Sequence, residues 1–208
     1  MNKIEIPTFS DDEEKMCKEI NRGSNQIKKF TKRLVEEPLS IRNDQYGRLI
    51  ENIQAVLQIW CEHTYIGEHK SKRVKKNFQR FFCNLYDFLM TCRQSNDLTL
   101  KNSAKGTLYQ GTVYRYLGYN YPVNNSEPIH PEYNDIYVSW SKRREFGNIL
   151  TKLYGTRTLM TCCIEGNNYG IDLEAFGVSR NEYEVVFPTL KDNVTDIEYQ
   201  YEEEDEDE

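Results

Sequence analysis

The chain changes its hydrophobic period once, near Thr107, and that single change restricts it to a helical part followed by a strand-rich part. Before it, apolar residues recur at helical spacing. Tyr46, Leu49, Ile50, Ile53, Val56, Leu57 and Trp60 make one stripe. Val74, Phe78, Phe81, Phe82, Leu85, Phe88, Leu89 and Cys92 make a second. An earlier helical region over residues 11–35 reads as broken at "RGSN", residues 22–25, where glycine and serine disfavour a helix interior. Three or four helices therefore precede the change.

After Thr107, "TLYQGTVYRYLGY" alternates and is rich in aromatic and β-branched residues, the mark of a strand. "IYVSWS", "RTLMTCCIEG", "YGIDLEAF" and "EYEVVFPTL" read as further short strands. "NYPVNNSEPIHPEYND", with three prolines and four asparagines, reads as loop. "KRREFGNILTKLYG", residues 142–155, predicts a helix of about three turns closed by Gly155. Strands following strands with one helix between them predict an α+β fold, not a doubly wound sheet. The expected organisation is a helical region over 1–100, a β-rich core over 101–195 and an acidic, disordered tail over 196–208.

Charge supports setting the tail apart. The net charge is −6, yet residues 202–208, "EEEDEDE", carry seven negative charges, which leaves the body at +1. A block of like charges repels itself and buries nothing. Composition excludes other classes. With 38% hydrophobic and 12% aromatic residues among 208, the chain is globular and long enough for a real core. No run of about 18 apolar residues exists to span a membrane. The N-terminal stretch lacks the apolar segment of a secretory signal, so a cytoplasmic location is expected, in the producing cell or in an invaded host cell. The six cysteines make no Cys-x-x-Cys pair and the three histidines show no zinc spacing, so no metal site is expected.

Three strand segments carry charged or hydroxylic side chains where a buried strand has little use for them. In "NEYEVVF", alternation places Glu182, Glu184 and Val186 on one face and Tyr183, Val185 and Phe187 on the other. The second face is core, so the two carboxylates meet water, a cation or a cleft. Taken alone, such a pair is ordinarily a strand end whose outer face is solvated. In "GTVYRYLG", Arg115 stands mid-strand with Tyr114 and Tyr116 on the opposite face. It suits an ion pair or bidentate phosphate binding. In "YVSWS", Ser139 and Ser141 share a face opposite Trp140. Arg115 precedes Ser139 by 24 residues, and Ser139 precedes Glu184 by 45.

This order of strand arginine, strand Ser-x-Ser and strand Glu-x-Glu resembles the ADP-ribosyltransferase superfamily, in its Arg–Ser–Glu branch of bacterial toxins, phage enzymes and vertebrate ecto-enzymes. The resemblance covers residues 107–190. "NEYEVVFP" is the closest match, an apolar run opened by glutamate and closed by Pro188. The middle of the serine motif is Trp140 where the family usually has threonine. The resemblance implies a split, mostly antiparallel β-sandwich. It implies NAD as substrate, cleaved at the nicotinamide–ribose bond through an oxocarbenium-like transition state that a carboxylate stabilises. Glu184 is then the catalytic glutamate. Ser139 orients it and helps place nicotinamide. Arg115, with Tyr116 and Ser141 nearby, binds NAD. Glu182 selects arginine on a target protein as acceptor. The loop of residues 176–181, with Phe176 and Arg180, presents that acceptor. No Gly-x-Gly-x-x-Gly loop is present, which counts against a dinucleotide-binding dehydrogenase.

Two alternatives keep their place. With the same fold, water as acceptor makes an NAD glycohydrolase, and a base makes a nucleic-acid modifier. The basic run "HKSKRVKKNFQR", residues 69–80, favours the base and Glu182 opposes it. In the third reading the chain is a non-catalytic interaction module. Its acidic tail then contacts a basic partner or the chain's own basic segment.

Overall fold

The computed structural model describes residues 10–37, 43–63, 72–117, 137–145, 158–178, 183–188 and 194–199. The fold is α+β, with helices at the N-terminal side and an antiparallel sheet after them. Contacts divide it into two compact units, Met1–Asn102 and Ser103–Glu208.

The first unit contains α1 (Ser10–Glu36), α2 (Asn43–His63) and α3 (Lys72–Gln94), and α1 packs on both of the others. Every apolar position of the predicted α3 stripe, from Val74 to Cys92, is buried. In α2 the stripe is buried at Leu49, Ile53, Val56, Leu57 and Trp60, while Tyr46 and Ile50 stay half-buried. Aromatic rings fill the space between the helices. Trp60 meets Phe78 and Phe82 edge-on at 5.0 and 4.9 Å, and Phe30 meets Phe88 edge-on at 5.9 Å.

The expected break at residues 22–25 does not occur, and α1 runs through it. Packing overrides local propensity here. Gly23 and Ser24 face inward, and a Cβ on Gly23 would stand 2.7 Å from Val56 Cγ2. Ser24 Oγ accepts a hydrogen bond from Asn84 Nδ2 at 2.8 Å, and the Ser24 carbonyl accepts from the same amide at 3.3 Å. The small residues let the helices approach closely, and the serine supplies acceptors for the part-buried amide.

A fourth helix, α4 (Leu98–Thr107), starts at Asp97, whose Oδ1 accepts the backbone N–H of Thr99 at 2.8 Å and of Leu100 at 3.2 Å. That is an N-cap, which satisfies amides that have no partner inside the helix.

The second unit holds β1 (Leu108–Tyr109), β2 (Gly111–Leu117), β3 (Tyr137–Ser141), β4 (Thr158–Ile164), β5 (Gly170–Asp172), a 3₁₀ turn (Glu174–Phe176), β6 (Glu184–Pro188) and β7 (Val194–Tyr199). The seven strands form one sheet in the order β1-β5-β6-β3-β2-β4-β7, and all neighbours are antiparallel. Val113, Val138, Trp140, Met160, Cys162, Ile164, Val185 and Phe187 make the buried cluster on one face.

β7 corrects the expected tail. Residues 194–199 pair with β4, so the disorder expected from residue 196 does not begin there. "VTDIEY" alternates and carries only isolated charges, which an edge strand tolerates. Lys142–Glu145, the start of the expected fourteen-residue helix, form a bend and turn. The rest of that segment, the loop over 120–133, residues 69–71 of the basic run and the acidic block lie outside the described residues. No helix among the described residues is long and apolar enough to cross a membrane.

Candidate active site

Sheet order brings the three motifs together. β6, β3 and β2 are consecutive, so the glutamate, serine and arginine motifs, scattered over about 70 residues of chain, lie on three adjacent strands. The β3–β6 register sets Ser141 opposite Glu184 and Ser139 opposite Val186. Ser139, Ser141 and Glu184 therefore share a face. Across the diagonal, the Ser139 hydroxyl donates to Glu184 Oε1. Glu184 is only 4% exposed, so this is a buried carboxylate held by a neutral hydroxyl. The face is drier than expected, because Val186 beside it is fully buried.

The β2–β3 register decides the place of the arginine. Tyr114 pairs with Ser141, which puts the even-numbered residues of β2, Tyr114 and Tyr116, on the Ser139–Glu184 face. Arg115 alternates to the other face. It pairs with Met160 on β4 and shares its side with Val113 and Trp140 of the core cluster. The structure thus brings Ser139, Ser141, Tyr116 and Glu184 together and leaves Arg115 across the sheet. Val113 carried the signal: an apolar residue two before Arg115 has the arginine's parity and is fully buried.

Glu182 and Arg180 lie outside the described residues. Phe176 is buried in the 3₁₀ turn, and a buried ring has no surface to offer an acceptor. Gly177 follows in the left-handed region at φ 69° and closes the turn. Trp140 is core, as its parity requires.

Two expected residues, Ser141 and Tyr116, and several that the motifs did not announce define the rim. Ser141 Oγ donates to the Arg143 carbonyl and accepts the Arg143 N–H, both at 3.1 Å, which shapes the exit from β3. The Tyr116 hydroxyl donates to the Arg144 carbonyl. The Lys142 N–H donates to the Tyr183 carbonyl at 2.9 Å, and the Leu173 N–H donates to the Glu184 carbonyl at 3.0 Å. Tyr183, next to Glu184, has φ 52°, a left-handed conformation that costs an aromatic residue about 1–2 kcal/mol. The Arg143 guanidinium lies over the Tyr183 ring at 3.5 Å. The Lys142 ammonium binds Asp172 at 2.9 Å and also Glu174, and sits 5.9 Å from the Tyr109 ring centre. Burial by itself would lower the Lys142 pKa, but bonds to Glu174 and Asp172 outweigh it and hold the ammonium above its ordinary value. Burial raises the Tyr109 hydroxyl.

The chain matches no family model, no curated protein and no solved structure. The site's chemistry must be read from its own residues. Among the described residues no group of histidine, cysteine, aspartate and glutamate is placed to hold a metal ion. What remains is a buried carboxylate oriented by a serine, aromatic side chains beside it, and a basic segment, Lys142–Arg144, at the strand end. A preorganised carboxylate in a low-dielectric setting stabilises cationic character that develops against it.

Proposed function

We propose that the chain is a mono-ADP-ribosyltransferase with the split, mostly antiparallel sandwich of that superfamily. It uses NAD and modifies an intracellular macromolecule, with arginine on a protein as the acceptor. The observation that carries this reading is the hydrogen bond from Ser139 to the buried Glu184, made across the β3–β6 register between residues 45 apart in sequence. The adjacency of the three motif strands supports it.

In the reaction the bond between ribose C1′ and the nicotinamide nitrogen breaks. Its electron pair goes to nicotinamide, which leaves as the neutral amide. The ribosyl group passes through an oxocarbenium-like state that the Glu184 carboxylate stabilises, and the ribose 2′-hydroxyl donates to the same carboxylate. A guanidine nitrogen of the acceptor bonds to C1′ and gives up a proton, which Glu182 takes. Ser139 holds Glu184 in place, so the carboxylate need not reorganise as charge develops. Arg115 lies on the far face of the sheet, and its phosphate-binding role is the part of the family pattern that the strand register does not support.

Nicotinamide release from NAD by the purified chain tests this, with and without cell lysate. The wild type releases nicotinamide and Glu184→Gln loses the activity by about 10²-fold or more, the scale of removing one preorganised electrostatic group. Label from NAD goes to lysate protein rather than to RNA or DNA. Glu182→Gln loses transfer and keeps some NAD hydrolysis. Absence of release under all these conditions refutes the proposal.

A further inference from the structure

We infer that Arg143, laid over the ring of Tyr183, is the phosphate-binding cation of this site and sets its preference for a dinucleotide over a nucleoside. The inference rests on the proposed use of NAD and adds the residue that recognises its pyrophosphate.

An anionic dinucleotide needs a cation near Glu184; the strand register turns Arg115 to the opposite face, whereas Arg143 follows Ser141 of β3 by two residues and lies on the ring of Tyr183, the residue next to Glu184. Lys142 is neutralised by Asp172 and Glu174. Arg143 is exposed, and among the described residues its guanidinium lies on an aromatic ring and not against a carboxylate. Stacking engages the flat face of a guanidinium. Its five N–H donors lie in the plane, in the fork that fits two phosphate oxygens.

The surroundings hold this stack in place. Ser141 Oγ fixes the Arg143 backbone by two hydrogen bonds at 3.1 Å. The Tyr116 hydroxyl holds the next carbonyl, that of Arg144. The Lys142 N–H holds the Tyr183 carbonyl at 2.9 Å. Tyr183 is kept at φ 52°, a conformation that a side chain of this size seldom adopts without a reason in its surroundings. The residue that carries the strained backbone is the neighbour of Glu184, so one short segment sets both the carboxylate and the ring beneath the guanidinium. Ser141 thereby gains a role: it shapes the turn that delivers Arg143.

The test measures affinity for NAD, ADP-ribose, inorganic pyrophosphate and nicotinamide riboside, together with KM and kcat for nicotinamide release, in the full chain and in Arg143→Gln, Arg143→Lys and Tyr183→Phe. Loss of a charge-assisted phosphate contact weakens binding of NAD, ADP-ribose and pyrophosphate by about 10- to 100-fold in Arg143→Gln. Affinity for nicotinamide riboside, which has no phosphate, stays the same. Arg143→Lys recovers only part of the loss, because an ammonium neither stacks flat nor forks, and Tyr183→Phe keeps wild-type affinity. If nicotinamide is released and its KM is indifferent to Arg143→Gln, the inference is wrong and the proposed activity stands. If pyrophosphate and ADP-ribose bind in an Arg143-dependent way without nicotinamide release, the inference stands and the NAD-cleaving activity falls. If the wild type binds none of the phosphate ligands, both are overturned.

Discussion

Replacing Gly23 by alanine separates two opposite expectations about α1. Helix propensity alone predicts a gain of about 1 kcal/mol, because glycine is a poor interior residue and alanine the best. The structure predicts a loss. The new Cβ would stand 2.7 Å from Val56 Cγ2 and 3.6 Å from Phe81 Cε2. Carbon atoms rest about 3.5–4.0 Å apart, so one contact is short by about 1 Å. Val56 is β-branched and held to one rotamer in its helix, so it does not swing aside. The helices must separate, and overpacking of this kind costs about 1–3 kcal/mol. Gly23→Ala is therefore destabilised by a net amount of roughly 0–2 kcal/mol. Val56→Ala alone loses buried methyl groups at a cost of about 2 kcal/mol. In the double variant the methyl added at position 23 enters the space that Val56 vacated. The clash is gone and the propensity gain returns, so the pair couples favourably by about 1–3 kcal/mol. Urea unfolding of the four proteins, followed by far-ultraviolet circular dichroism, gives the cycle. A stabilised Gly23→Ala that adds simply to Val56→Ala would refute the close-approach account.

Three further outcomes follow from the second unit and the cysteines. Ser139→Ala removes the hydroxyl that orients Glu184 and lowers kcat for nicotinamide release by about 10- to 100-fold, the worth of a hydrogen bond to a charged group, with little change in NAD affinity; an unchanged kcat would deny Ser139 its role. Lys142→Met leaves Asp172 and Glu174 without their cation and lowers stability by about 1 kcal/mol, modest because the cluster is partly solvated. The Lys142 pKa is raised on folding, so its contribution is present below the ordinary lysine value of 10.5 and is lost as pH rises through the higher folded value; the gap between wild type and Lys142→Met must close on the alkaline side, as denaturation at several pH values will show. In the native protein a thiol-alkylating reagent modifies the exposed Cys83 well before the buried Cys17, Cys61, Cys92 and Cys162, and burial pushes Cys92 and Cys162 up to about 12, so they carry almost no thiolate at neutral pH; mass-spectrometric mapping reads the order.

The α3 stripe was legible because one period served one buried face over its whole length. Residues 22–25 were not, because glycine and serine signal a break only when solvent is the alternative, and here the alternative is another helix. Ser139 and Glu184 were legible from alternation and order. The face of Arg115 was recorded by Val113 but needed strand pairing to acquire meaning: parity says which residues share a side, and register says which sides coincide. Tyr183 read as a core-facing strand residue and Lys142 and Arg143 as the start of a helix, and neither pattern announced the roles they take. Their roles arise from a turn and a positive φ that join segments about 40 residues apart, and no local periodicity encodes such a meeting.

β6 lies between β5 and β3, and it is made after both of them. Ser139 is made long before its carboxylate partner. Until β6 slots between two strands that already exist, Ser139 has no Glu184 to orient and the sheet is split into two incomplete pieces. Such non-local pairing is a slow, late step in folding. A chain that ends before Glu184 lacks both the carboxylate and the strand that joins the two pieces of the sheet. For the proposed activity, the order of strands makes the carboxylate the later-made member of the Ser139–Glu184 pair.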